Sequence, residues 1–218
     1  MSLAGTTNPN VIVLGGGRDT AFADAGNYFF ATETPGDNTV TAPLVLRNLF
    51  DVRARLVPGY PGGNEINLAM EREEVDGRCG WSWSSIKTTV PDWLRLKRIN
   101  LLLQMSIKKS RELPDVPLVM DMASDDRQRQ ILRLILGDQQ MAWPFLAPPG
   151  LPLARAEALR AAFDATMKDP EYMAELAQRR FDINPMSGGE IEKLIGELYQ
   201  TPDDVVAAAR KAISDEAR

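Results

Sequence analysis

At 218 residues the chain is long enough for a real hydrophobic core in one large domain or two small ones, and its 44% hydrophobic and 25% charged residues are ordinary for a globular protein. A formal charge of -5 argues against nucleic acid or an anionic membrane surface as partner, since both demand a basic face. With no histidine and a single cysteine, Cys79, the chain lacks Ser-His and Cys-His nucleophile pairs, the commonest zinc ligand and any internal disulfide, so only Asp, Glu or Lys chemistry remains open to catalysis.

Nothing in Met1-Ser2-Leu3-Ala4-Gly5 resembles a signal peptide. The densest apolar run, residues 99–105, falls short of the roughly 18 residues a membrane-spanning helix needs, so direct membrane insertion is not expected. Residues 11–14 predict a short strand ended by Gly15-Gly16-Gly17, and residues 28–32 a second strand rich in aromatics. The loop Glu33-Thr34-Pro35-Gly36-Asp37-Asn38 leads to a helix over 39–50, and a strand follows over 52–57.

The segment Gly59-Tyr60-Pro61-Gly62-Gly63-Asn64-Glu65, closed by Val75-Asp76-Gly77, is a strand end, a glycine-rich turn and a helix opening at Asn64. That layout is the one in which α/β proteins hold small anions. In the helix over 64–73, Ile66, Ala69 and Met70 share a buried face. The spacing lacks the Lys-Ser/Thr pair of a P-loop and the later glycine of a dinucleotide fingerprint. Alternation of strand and helix predicts a mainly parallel sheet, the α/β class.

Residues 75–83 predict a strand emerging into Ser84-Ser85, with Trp81 and Trp83 on one face and Ser82 and Ser84 on the other. A turn or short helix at Pro91-Asp92-Trp93-Leu94 precedes a strand over 98–105. Ser124 is expected to cap a helix ended by Gly137, and residues 141–146 to form the last strand. After Pro148-Pro149-Gly150 everything predicts helix: 153–167 behind Pro152, a second started by Asp169-Pro170, a third behind the Ser187/Glu190 capping box and a last behind Thr201-Pro202.

Five stretches resemble, in order, the substrate-binding receptors of tripartite tricarboxylate transporters, the TctC-like or Bug extracytoplasmic solute receptors. They are Gly59-Tyr60-Pro61-Gly62-Gly63-Asn64-Glu65 with Leu68-Ala69-Met70-Glu71-Arg72; Val75-Asp76-Gly77 running to Trp81-Ser82-Trp83-Ser84; Leu113-Pro114-Asp115-Val116-Pro117; Pro144-Phe145-Leu146-Ala147-Pro148-Pro149-Gly150-Leu151-Pro152; and Leu159-Arg160-Ala161-Ala162-Phe163-Asp164-Ala165-Thr166-Met167-Lys168-Asp169-Pro170. The resemblance implies a periplasmic-binding-protein-like (type II) clamshell of two lobes, closing over a di- or tricarboxylate or related solute and presenting it to transporter membrane subunits. It implies a periplasmic location, no catalysis and no cofactor or metal.

Set against that family, the chain looks N-terminally truncated. Residues 1–27 would be an N-terminal segment and crossover strand, 28–147 the α/β ligand-binding domain or second lobe, and 148–218 a helical section belonging to a first lobe whose sheet is missing. Leu159 and Phe163 should then expose apolar helix faces unless a second copy covers them, so a homodimer is expected.

The resemblance places a ligand loop at Thr34, Pro35, Gly36, Asp37, Asn38 and Thr39. Gly36 would allow close backbone approach, and the amides opening the 39–50 helix would attract a carboxylate, whereas Asp37 would repel one unless it points outward or meets a ligand ammonium group. The alternative is an ordinary Pro-Gly turn with Asp37 or Asn38 as N-cap. Tyr60 would line the cleft with the amides of Gly62 and Gly63, and Ser82 and Ser84 would face it; the alternative is a ligand-free turn and packed tryptophans. Cys79 is expected to be a small buried apolar residue. Beside the receptor stand two other functions, a solute-sensing partner of a signalling system and a small enzyme using Asp37 or Glu65 as base.

Overall fold

The computed structural model describes residues 10–15, 27–141, 144–179 and 185–215. The elements run β1 (Asn10–Gly15), β2 (Tyr28–Ala31), α1 (Asn38–Phe50), β3 (Ala54–Val57), α2 (Gly63–Glu71), β4 (Gly77–Ser82), α3 (Trp83–Thr89), α4 (Pro91–Arg95), β5 (Ile99–Met105) and α5 (Asp126–Leu136). Four helices follow, α6 (Leu153–Thr166), α7 (Pro170–Gln178), α8 (Gly188–Tyr199) and α9 (Asp203–Ala212). The expected turn at Gly16 and Gly17 lies outside the described residues.

The strands form one sheet in the order β3-β2-β4-β1-β5. β2 is parallel to β3 and β4, while β1 is antiparallel to β4 and β5, so four strands share a direction and β1 runs against them. Helices cover both faces. Under α1 and α5 lie Ile12, Phe30, Cys79 and Leu103, packed by Val45, Leu46, Leu132 and Leu136. Under α2, α3 and α4 lie Val11, Val13, Ala31 and Trp81, packed by Ile66, Ala69, Ile86 and Trp93.

A β-bulge interrupts β4. Val11 opposes Trp81 and Val13 opposes Arg78, so Ile12 alone spans the two residues Cys79 and Gly80. Gly80 has φ +67°, and a Cβ there would stand 2.5 Å from the Asn38 carbonyl oxygen and 2.7 Å from the Thr39 nitrogen. The extra residue resets the alternation of side chains. Cys79 enters the α1/α5 core, and Arg78 and Trp81, three apart, come to the same opposite face, with the guanidinium 4.6 Å from the indole centroid.

Beyond β5 the chain is held by Gln104, which is fully buried. Its amide donates to the carbonyls of Leu113 (2.9 Å) and Val116 (2.7 Å) and accepts from the Ser110 amide (2.9 Å), so every contact needed to bury it is made. The helix after it is capped by Asp125, not Ser124: Asp125 Oδ1 accepts from the Gln128 amide at 2.7 Å, three residues on, while Ser124 gives its own N–H to Gln128 Oε1.

Two other expectations fail locally. The strand expected over 141–146 is absent among the described residues: Met141 ends a 3-10 turn and residues 145–148 have no regular structure. Pro144, inside that stretch, cannot donate to a ladder, which works against a central strand there. Phe163, expected to be exposed, is only 7% exposed and packs tilted against Phe145 with ring centroids 6.0 Å apart, while Leu159 is 48% exposed.

The last helix returns to the sheet unit. Val205, Ala209 and Ala212 of α9 pack on Ile131 of α5, and Asn48 of α1 donates to the carbonyls of Ala212 and Ser214, both at 3.0 Å, closing the end of α9. The capping box of Ser187 and Glu190 opens α8, whose Glu192 pairs with Arg160 of α6. Phe163 and Ile191 are the buried residues of α6 and α8, α7 buries none, and Leu146, Leu153 and Tyr199 stand 87%, 69% and 88% exposed.

The bulge gives a direct test. Gly36 has φ +90° with nothing within 4 Å of its missing Cβ, so Gly36→Ala carries only the left-handed penalty of about 1–2 kcal/mol. Gly80→Ala adds a clash with the α1 backbone and should cost about 3 kcal/mol or more. Urea denaturation midpoints measure both; equal losses would mean that the close approach of Asn38 is not there.

Candidate functional site

The C-terminal ends of β2, β3 and β4 carry the loops at which open α/β sheets hold ligands. The first two are laced together: Thr32 donates its amide to Val57 O at 3.0 Å, and Tyr60 donates to Thr32 O at 3.4 Å. Thr34-Pro35-Gly36-Asp37 is a type II turn, with proline second, a left-handed glycine third and the Asp37 amide donating to Thr34 O at 3.1 Å. Thr34, Pro35 and Gly36 are exposed at its tip.

The start of α1 is closed, against the expectation of open amides there. Asp37 Oδ1 accepts from the Thr39 amide at 2.7 Å, and the Asp37 carbonyl takes those of Val40 and Thr41. Asp37 is thus the N-cap, and its carboxylate serves its own helix. Thr39 is buried, its hydroxyl oxygen accepting from the Glu33 amide at 3.0 Å; Asn38 is half-buried beside Gly80.

The open helix start belongs to α2. Gly62 is its N-cap and supplies no side-chain bond. Facing it, Arg78 Nη1 donates to the Gly63 carbonyl and to Asn67 Oδ1, each at 3.2 Å, and Nη2 lies 3.6 Å from Glu33 Oε1. Burial pulls the Arg78 guanidinium below its ordinary pKa, with the charges of Glu33 and then Asp37 opposing. Trp81 supports it from below, set edge-on to Trp93 at 6.3 Å and donating Nε1–H to Ser85 Oγ at 3.2 Å. Arg78, Asn67, Trp81 and Ser85 line an open concavity of about 310 Å³ together with Gly62, Gly63 and Asn64, and Glu33 stands behind the guanidinium, outside the lining.

Of the expected site residues, Gly62 and Gly63 enter this concavity. Tyr60 is half-buried against the core beneath α2, and Ser82 and Ser84 stand outside the lining. The expected tryptophan–serine alternation ends at Ser82, because Trp83 begins α3 and turns away to Glu112. Arg78 was absent from the expected set. Its signal was an arginine at a strand position bracketed by Gly77 and Gly80. Cys79 is fully buried, which pushes its thiol pKa well up and leaves it unreactive. Among the described residues no helix is long and apolar enough to cross a membrane.

No family model matches the sequence, and no curated protein matches it. Solved structures do share the fold. A TctC solute-binding protein from Polaromonas, solved without ligand, superposes with a TM-score of 0.62 at 12% identity, over 92% of this chain and 66% of its own. A protein from R. palustris solved with adipate gives 0.58 at 15% identity, over 94% and 65%. MatC from Rhodopseudomonas palustris, with bound malate, gives 0.53 at 16% identity, over 98% and 69%. The chain has the fold of TctC-type solute-binding proteins and spans about two thirds of their length.

Helix α3, which forms one wall, is tied down through Glu112: Lys87 reaches its carboxylate at 2.9 Å and Trp83 Nε1 donates to it at 2.7 Å. Those two hydrogen bonds, Lys87 first, hold the Glu112 carboxyl below its usual range. A depressed carboxyl contributes stability that is present above the unfolded pKa, about 4.3, and is lost as pH falls through the folded value. Glu112→Gln should therefore be less stable than the parent at neutral pH, with the gap closing in acid. Melting curves from about pH 3 to about pH 7 read this; a gap constant with pH would show that the ionised form contributes nothing.

Proposed function

We propose that this chain is part of an extracytoplasmic solute-binding receptor that captures a small carboxylate for a tripartite tricarboxylate-type transporter, without chemical conversion. The observation that carries the proposal is the buried guanidinium of Arg78 in a concavity at the loop-bearing end of a sheet whose fold is that of solute-binding proteins. Adipate and malate in two of the similar structures support a dicarboxylate of about that size.

On this proposal residues 28–147 are the ligand lobe, with the exposed turn Thr34-Pro35-Gly36, Tyr60, Gly62, Gly63, Ser82 and Ser84 around the mouth of the site. Leu146 in the preceding loop, Leu153 of α6 and Tyr199 of α8 face a further lobe or a second copy of this chain, and the location is periplasmic. The absence of histidine supports binding without catalysis, as does the engagement of Asp37 as a helix cap.

Calorimetry with adipate, malate and citrate tests the proposal, followed by recovery of the ligand for mass analysis. Saturable binding and unchanged ligand are expected. A converted ligand would favour an enzyme using Glu65 or another carboxylate, and no heat with any of the three would remove the receptor proposal. Sedimentation across a concentration series should show self-association that Leu153→Glu with Leu146→Glu weakens; a monomer at all concentrations rejects the homodimer.

A further inference from the structure

We propose that Arg78 is the anion seat of this site and Glu33 its displaceable counter-ion, so that a ligand carboxylate takes the place of Glu33 beside the guanidinium above Trp81. The inference rests on the solute-binding proposal and names the group that would select the ligand.

A guanidinium carries five N–H donors in a fixed fork. Here Nη1 makes two bonds of 3.2 Å to neutral oxygens, and Nε, fully buried, has no partner among the described residues. The side chain is 11% exposed. Its carboxylate neighbour Glu33 stands at 3.6 Å, outside the roughly 2.7–2.9 Å of a charge-assisted bond. Arginine and carboxylate, left to themselves, close to a bidentate pair. This pair is held apart, and the cation is under-bonded.

The surroundings fix the fork and leave the counter-ion without a close bond to it. Gly63 permits the approach of α2, since a Cβ there would stand 2.5 Å from both Nη atoms. Asn67 and the Trp81 ring hold the guanidinium from two further sides. Glu33, by contrast, follows β2 on the loop that ends in the exposed Thr34-Pro35-Gly36 turn, and its side chain is 24% exposed. The other nearby acid cannot substitute for it, because Asp37 is committed to the Thr39 amide. Glu65 lines the concavity from the exposed first turn of α2, close to Gly62. A ligand carboxylate entering the concavity meets a cation that is already desolvated and oriented, and competes with one charge that stands at 3.6 Å from it.

The test uses Arg78→Gln, Arg78→Lys and Glu33→Gln, with adipate and malate in calorimetry and acetate as the smallest carboxylate, followed by tryptophan emission. Arg78→Gln should weaken dicarboxylate binding by about tenfold or more, the scale of one lost charge-assisted bond. Arg78→Lys, which keeps the charge but loses the fork, should fall between. Glu33→Gln should bind more tightly than the parent, by about threefold or more, because the competitor is gone; no merely structural role of the pair predicts a gain. Acetate should shift the emission of the parent and, at lower concentration, of Glu33→Gln, but not of Arg78→Gln. If dicarboxylates bind the parent and Arg78→Gln alike, or if Glu33→Gln binds more weakly, the anion seat is wrong and the receptor proposal stands. If no dicarboxylate binds but the acetate pattern holds, the seat stands and the receptor proposal falls. Silence in both arms removes both. Should Arg78→Gln fail to fold, the sign of the Glu33→Gln effect decides.

Discussion

The backbone of Asn38 lies where a side chain on Gly80 would begin, and this contact sets the geometry of everything around it. It requires glycine twice over, once for the left-handed φ and once for the space. Because Gly80 is the extra residue of a bulge, the same position decides which face of the sheet each β4 side chain meets. Without the bulge Arg78 and Trp81, an odd number of residues apart, would lie on opposite faces. With it, the arginine lies on the indole and under the start of α2, and the cysteine goes into the other core. One backbone irregularity thus couples the seat of α1 to the chemistry beneath α2.

Elsewhere the fold relies on amides used as clamps. Gln104 is buried with two carbonyls and an amide satisfied, which ties residues 110–116 to the last strand. Asn48 does the same between α1 and the end of α9. Such a bond contributes only about 1 kcal/mol net, but leaving a buried partner unsatisfied costs about 1–3 kcal/mol, so these clamps act as conditions on the fold more than as additions to it. The consequence for architecture is that α9, last in sequence, belongs physically to the sheet unit, whereas α6 and α7 bury little.

Most of the elements were legible because their signals are local. Asp169 and the Ser187/Glu190 box cap as their spacing indicates, and Ile66, Ala69 and Met70 face the core as their period requires. What was not legible depends on distant partners. Periodicity carried β4 through Trp83, because nothing in Ser82-Trp83-Ser84 says that Glu112 and Lys87 will draw Trp83 into a helix. The proline-bearing 141–146 stretch resembled a buried strand from its apolar content, yet proline leaves the ladder without donors. At the site the glycine-rich turn pointed to Gly62 and Gly63, while Arg78 escaped notice because its face depends on a bulge, and a bulge is a property of two strands.

The incomplete bonding of Arg78 bears on why such a group would be kept. Placing a guanidinium in a protein interior carries a desolvation penalty that a close ion pair only roughly offsets, so a pair held at 3.6 Å leaves part of that penalty standing. A group under-bonded in the free protein gains the most when an anion arrives, since affinity is the difference between the two states and not the strength of either. A tight Arg78–Glu33 pair would stabilise the empty molecule and oppose any ligand by the same amount. Asp37 shows the contrasting arrangement a short distance along the same loop, its carboxylate held at 2.7 Å by an amide and unavailable for exchange. Of the two acids whose charges act on the cation, one is bonded to a backbone amide and the other stands at 3.6 Å, and on the proposed reading that asymmetry leaves the guanidinium able to take an anion.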